Sequence, residues 1–264
     1  MKRAGGALVV ALAGALAVAV VAASWPGPSK AVHRVRAAAA ELPAPPRPAL
    51  KVGRPEALPR LRDLSRWAPV RRAIAVRARP YARARVVGAL GMRTPEGTAN
   101  LVVVVGRHAA SGGRLWVRVR LASLPNGRTG WVPRRALGGY TTLDTRLVVD
   151  RARLRATLLR DGRAVLVVPV GVGTAAAPTP RGEFYVRDEL TGYRSPMYGP
   201  LAFGTSARSA TLTDWPAGGY VGIHGTDRPD LIPGRVSHGC IRLRNGDLLR
   251  LARLMPVGTP LSIR

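Results

Sequence analysis

The sequence predicts a mainly β protein of two small domains, with one short helix near the C-terminus. Two patterns and one bound predict it. Short apolar runs rich in valine and leucine recur from about residue 71 onward, separated by Gly, Pro and Asn turns. One stretch of that region, from Asn245, has helical spacing. The 264 residues, 47% of them hydrophobic and 21% charged, can bury one or two cores and are not disordered throughout.

At the N-terminus, Lys2 and Arg3 precede an uncharged stretch from Ala4 to Ser24. Small residues follow at Val21-Ala22-Ala23. Residues 1–24 therefore read as a secretory signal peptide or an uncleaved N-terminal membrane anchor. Either places the protein outside the cytoplasm, in the cell envelope. Residues 25–70 carry nine prolines and a basic excess, and the sequence predicts an extended linker there.

Residues 71–140 predict a small antiparallel β-barrel. Its expected strands are Ile74 to Val76, Val86 to Leu90, Leu101 to Val105, Leu115 to Val119 and Trp131-Val132. Turn clusters at Thr94 to Gly97, Ser111 to Gly113 and Asn126-Gly127 part them. The run from Gly127 to Pro133 resembles the late-strand signature of bacterial Src-homology-3-like domains.

Residues 141–264 predict a second domain. Arg146 to Asp150 and Ala164 to Val168 read as buried strands joined near Asp161-Gly162. Asn245 is expected to cap a helix that buries Leu248, Leu249, Leu251, Ala252 and Met255. Pro256 ends it, and Thr259 to Ile263 forms a closing strand.

Lys and Arg number 42 against 14 Asp and Glu, a formal charge of +28, but only three are lysine. Such a balance fits anionic cell-wall polymers, or base composition alone. Export and few aromatics speak against nucleic acid. Cys240 is the single cysteine, which excludes an internal disulfide and a multi-thiolate zinc site.

His224, His238 and Cys240 fall within seventeen positions. If Tyr220 to Gly225 and Ser237 to Leu243 are strands with Val221, Ile223, Ile241 and Leu243 inward, the other faces carry Tyr220, Gly222, His224, His238, Cys240 and Arg242. Residues two apart on a strand lie about 6.6 Å apart. Cross-strand neighbours come closer, which makes His224 the expected base and His238 an orienting residue. A histidine partner activates a thiol for attack on an acyl carbon. Gly239 allows backbone amides to reach an oxyanion, and the Gly225 carbonyl can set the His224 tautomer. Arg242 is a candidate clamp for a substrate carboxylate. Tyr198 and Tyr220 are candidate substrate contacts, although tyrosines so placed are more often packing residues.

His224-Gly225 followed by Ser237-His238-Gly239-Cys240-Ile241-Arg242-Leu243 resembles the active-site signature of the L,D-transpeptidase catalytic domain. Val170 to Gly173 and Thr179-Pro180-Arg181-Gly182-Glu183-Phe184 match two further segments of that family. The resemblance runs from Arg146 to Ile263. It implies a β-sandwich catalytic domain, no cofactor, and acyl transfer between peptidoglycan stem peptides through a Cys240 thioester with release of D-alanine. Cys240 matches the nucleophile, His224 the general base, and Ser237, His238 and Gly239 the surround. Arg242 stands where many members carry asparagine. An acyl-donor lid is expected over Arg187 to Gly219.

Three other functions fit parts of the sequence. The same residues serve an L,D-carboxypeptidase if water takes the acyl group. His224, Asp230, His238 and Cys240 supply ligands for a zinc-dependent wall peptidase. The charge alone suits a non-catalytic polyanion-binding envelope protein. Oligomeric state is not legible.

Overall fold

The computed structural model describes residues 65–192, 195–212 and 219–264. The signal or anchor expected over 1–24, and the linker as far as residue 64, lie outside these residues.

Seven strands form the first sheet: β1 (Ser65–Pro69), β2 (Ile74–Arg77), β3 (Val86–Leu90), β4 (Leu101–Ala109), β5 (Leu115–Arg120), β6 (Thr129–Pro133) and β7 (Thr141–Leu143). Their order is β3-β2-β6-β5-β4-β1-β7, and every pair is antiparallel. Val76, Val102, Val104, Val117, Val119 and Val132 alternate inward to make its core. Among the described residues its outer strands are β3 and β7. One boundary needs correction. The linker expected to reach residue 70 gives way at Ser65, because Trp67 and Ala68 pair with Val103 and Val102 inside the sheet. Within the described residues the first sheet runs from Ser65 to Leu143.

The second sheet comprises β8 (Thr145–Asp150), β9 (Arg155–Arg160), β10 (Arg163–Pro169), β11 (Gly171–Gly173), β12 (Gly182–Thr191), β13 (Leu201–Arg208), β14 (Tyr220–His224), β15 (Gly234–Ser237), β16 (Ile241–Arg242) and β17 (Pro260–Ile263). Its order is β10-β9-β8-β17-β12-β13-β14-β16-β11-β15. Strand β12 joins the two halves of this run. Its first part, Gly182 to Tyr185, pairs with β17, and the rest, with an irregularity between Val186 and Asp188, pairs with β13. A strand that changes partners midway turns one sheet into two layers. Phe184, Phe203, Ile223, Ile241, Leu243 and Leu261 pack in the shared core.

Three further expectations shift. Strand β9 intervenes between the two strands expected to be joined at Asp161-Gly162. That turn instead joins β9 to β10, with positive φ at Asp161 (49°) and Gly162 (75°), as a two-residue hairpin turn requires. The expected lid contains two core strands: 187–191 end β12, and β13 is buried along nearly its whole length. Helix α1 (Asn245–Leu254) buries Leu248 and Leu251, and Met255 is buried just beyond it, but Leu249 is exposed.

The two domains share a seam. Asn126, in the β5–β6 turn, accepts from the Arg208 N–H (2.9 Å) and donates to the Arg208 carbonyl (2.7 Å). Arg187, 2% exposed, bonds Glu96 of the first domain (2.5 Å) and its neighbour Asp188 (3.3 Å). Its guanidinium lies 3.8 Å over the Tyr220 ring.

Candidate active site

Parallel pairing of β14 with β16 sets Ile223 opposite Ile241 and His224 opposite Arg242. Both isoleucines are fully buried, so the alternating positions turn toward the site. One step earlier in the same register Gly222 lies beside Cys240, and the Gly222 N–H donates to Cys240 Sγ (3.4 Å). A Cβ on Gly222 would lie 3.8 Å from His224 Cδ2 and 3.9 Å from Cys240 Sγ. Thiol and imidazole therefore flank a bare α-carbon.

His224 is 3% exposed. Its Nδ1 lies 2.7 Å from the Gly225 carbonyl, an acceptor, so Nδ1 carries the proton and Nε2 keeps its lone pair. Burial drives the His224 pKa down to about 4, against a smaller upward pull from the Gly225 bond. The Arg242 guanidinium adds a further downward push. Burial raises the Cys240 pKa, offset in part by the Gly222 N–H and by Arg242. The resting pair is a neutral thiol beside a neutral imidazole.

The Cys240 loop is a bend, where a continuous strand from Ser237 to Leu243 was expected; β15 stops at Ser237 and β16 starts at Ile241. Gly239 has φ +120°, a conformation that side chains resist. Ser237 Oγ holds the bend, donating to the Cys240 carbonyl (2.6 Å) and accepting from the Gly239 N–H (3.1 Å). The Gly239 amide is thus occupied, which leaves the His238 and Cys240 amides as candidate oxyanion donors. His238 itself is exposed on the bend.

Two expected substrate residues have other duties. The Tyr198 ring meets the His224 ring edge-on at 4.9 Å, and its carbonyl accepts from the Gly225 N–H (2.9 Å). The Tyr220 ring has Arg187 and Arg208 guanidinia 3.8 Å and 4.2 Å from its centre, and its hydroxyl reaches the Ala122 carbonyl (3.4 Å) across the seam. Arg242 bears on both titrating groups, and its buried Nε has no partner among the described residues. Asp230 is exposed and ion-paired with Arg228 (3.2 Å), so it stands outside the proposed zinc set. Among the described residues no three His, Cys, Asp or Glu side chains gather.

Three residues named in the sequence take on supporting contacts that the motifs do not state. Thr179 Oγ1, buried, donates to the Gly239 carbonyl (2.8 Å) and accepts from the Gly173 N–H (2.8 Å), tying the Cys240 bend to β11. Asn245 Oδ1 accepts from the Thr226 N–H (3.0 Å), in place of the helix capping expected of it. Gly225 is where it is because a Cβ there would collide with Asn245 Oδ1 and the Gly199 backbone. Gly222 carried a readable signal: it is the one side-chain-free position between Tyr220 and His224 on the face assigned to chemistry.

Residues 144–263 match the family model described as the L,D-transpeptidase catalytic domain. A Bacillus licheniformis protein bearing the name L,D-transpeptidase YkuD is 34% identical over 122 residues, covering 46% of this chain and 67% of its own length. The Bacillus subtilis protein named L,D-transpeptidase YqjB is 31% identical, over 46% of this chain and 71% of its own. Among solved structures, the catalytic domain of the E. faecium L,D-transpeptidase is 26% identical, with a TM-score of 0.34 over 46% of this chain and 97% of that one. The avibactam carbamoyl enzyme structure is 30% identical with a TM-score of 0.35, and the match spans 49% of that chain.

Proposed function

The chain belongs to the L,D-transpeptidase family, and from that premise we propose that Cys240 and His224 transfer acyl groups between peptidoglycan stem peptides. One observation carries the reading: a thiol and a neutral, Nδ1-tethered imidazole flank Gly222 with no side chain between them.

His224 Nε2 takes the thiol proton as sulfur attacks the stem carbonyl that precedes the terminal D-alanine. Neither group is charged beforehand, so the ion pair forms only as the substrate closes over the site and the carbonyl accepts electrons. The Cys240 and His238 amides receive the oxyanion, a contact typically worth about 2.7–4 kcal/mol per donor. Arg242 favours negative charge at sulfur and opposes a standing imidazolium. The imidazolium then protonates the departing amine, and D-alanine leaves. An amine from a second stem attacks the thioester, His224 takes its proton, and a 3→3 cross-link results. If water attacks instead, the same residues trim the stem to a tripeptide.

Wall chemistry of this kind is extracytoplasmic. No helix of the described residues is long and apolar enough to cross a membrane. Export through residues 1–24, as a cleaved signal or an anchor, completes the reading.

Intact mass after incubation with a stem tetrapeptide tests it. The wild-type protein should gain the tetrapeptide mass less D-alanine, and Cys240→Ala should gain nothing. Undiminished release of D-alanine by Cys240→Ala would overturn the covalent route. Muropeptide analysis with disaccharide-tetrapeptide then separates cross-linked dimer from trimmed monomer.

A further inference from the structure

The first domain holds a cavity of about 550 Å³ that the Cys240 chemistry does not use. Ile74 of β2, Trp116 of β5 and Pro133 of β6 give it apolar walls. Arg77, Arg114, Arg134 and Arg135 also line it, and no acidic residue does. Two of these arginines are held in place. Arg77 donates to the Ala84 carbonyl (3.1 Å). Arg134 donates to the Leu137 carbonyl (2.8 Å) and lies 4.3 Å over the Tyr140 ring. Arg114 and Arg135 are exposed and have no partner among the described residues. The cavity is therefore mostly apolar, with arginines that no acid in its lining offsets, and planar guanidinia match carboxylates in paired hydrogen bonds. Its size suits a few small residues.

We propose that this cavity binds the carboxylate-bearing end of a wall stem peptide, so that the first domain holds one peptide while Cys240 acts on another. The proposal rests on the reading above that stem peptides are the substrate. The apolar walls choose among anions. A phosphate polymer offers Trp116 and Ile74 nothing to cover, whereas the methyl groups of alanine fill such a space. The chain's own residues 25–64 carry eight Lys and Arg against three Asp and Glu, so the arginines repel that segment.

The test is amide NMR on the full-length Cys240→Ala protein, which binds without turnover. It is titrated with stem tetrapeptide, with the same peptide with its carboxylates amidated, and with linear inorganic polyphosphate. The tetrapeptide should shift amides at 74–77, 114–116 and 133–135, and amidation should weaken these shifts at least tenfold. Adding Arg114→Glu and Arg135→Glu should weaken them as much while leaving the shifts at 222–240 intact. The neutral pair Arg114→Gln and Arg135→Gln gives the same readout if charge reversal disturbs the fold. Unmoved first-domain amides, or shifts indifferent to amidation or to both variant pairs, would overturn the proposal. So would tighter binding there of polyphosphate, or of a peptide of residues 42–62. Failure of the substrate reading shows elsewhere, as missing shifts at 222–240 and no acyl adduct on the wild-type protein.

Discussion

The sheet of residues 65–143 and the sheet of residues 145–263 use strands in opposite ways. In the first, all pairing is antiparallel and the arginines around its cavity lie partly or fully exposed with no acid among them. In the second, β8 with β17, β14 with β16, and β11 with β15 run parallel. Parallel neighbours need long connections, and here the connection after β14 returns Cys240 to the flank of Gly222. Polar groups are also treated differently there: Arg187, His224 and Thr179 are all but fully buried and bonded. An antiparallel sheet of this kind displays a charged surface. The mixed one encloses a few polar groups whose protonation and direction the interior can set.

The contrast breaks most sharply at the chemistry itself. Cys240→Ala should cost turnover about 10⁴-fold or more while the thermal midpoint stays within about 2 °C, since little volume is lost. His224→Ala should cost about 10²–10⁴-fold, and more than His238→Ala. Measured rates in the reverse order would move the base assignment to the exposed histidine.

Acid sharpens the same point. The acid limb of kcat/KM should fall near pH 4, because the working form of His224 is the neutral one. Its folded pKa lies below the unfolded value of 6.5, so the unfolded chain binds more protons between pH 6.5 and 4. Stability should drop by about 3 kcal/mol on that descent, and His224→Gln should flatten the loss. A kinetic limb near 6.5 would mean that the imidazole is not buried in solution.

Smaller effects follow at the supports. Thr179→Val keeps the shape but strips the bonds to Gly173 and Gly239. It should cost about 1–3 kcal/mol in denaturant melts, with kcat falling and KM nearly unchanged. Unaltered kcat would show that the Cys240 bend stands without this tie. Smallest of all, Glu96→Gln loosens the seam. Arg187 keeps Asp188, so we expect about 1.5 kcal/mol of lost stability and less than a twofold change in turnover. A larger loss of turnover would make the seam part of the catalytic apparatus.

The same contrast explains what was legible from sequence. Alternating valines and the turns at Asn126-Gly127 and Asp161-Gly162 are local signals, and strands stand at each of the places read from them. Strand β1 escaped because Pro69 ends it and its partners lie more than thirty residues away. Strand β9, Arg155 to Arg160, escaped because its side chains lack clean alternation between arginines. The strands inside the expected lid escaped for a related reason. Glycine, serine and tyrosine over 187–219 do not read as strand, yet Gly204 is small because the Asp188 carboxylate packs where its Cβ would be. Around Cys240 the choice of His224 rested on two strands lying side by side, and β14 does pair with β16. The Thr179 tie was not legible, since a hydroxyl sixty positions away has no periodic signature.

Behind the imidazole of His224 the chain is packed shut. The Tyr198 ring covers its edge, the Gly225 carbonyl occupies Nδ1, and Gly199 and Asn245 press on Gly225 from beyond. Nε2 is thus the ring nitrogen left for proton transfer. On the proposed route a proton lifted there from sulfur passes to the departing nitrogen. His224 would then work as a one-door proton store, emptied by the leaving group and refilled by the next nucleophile.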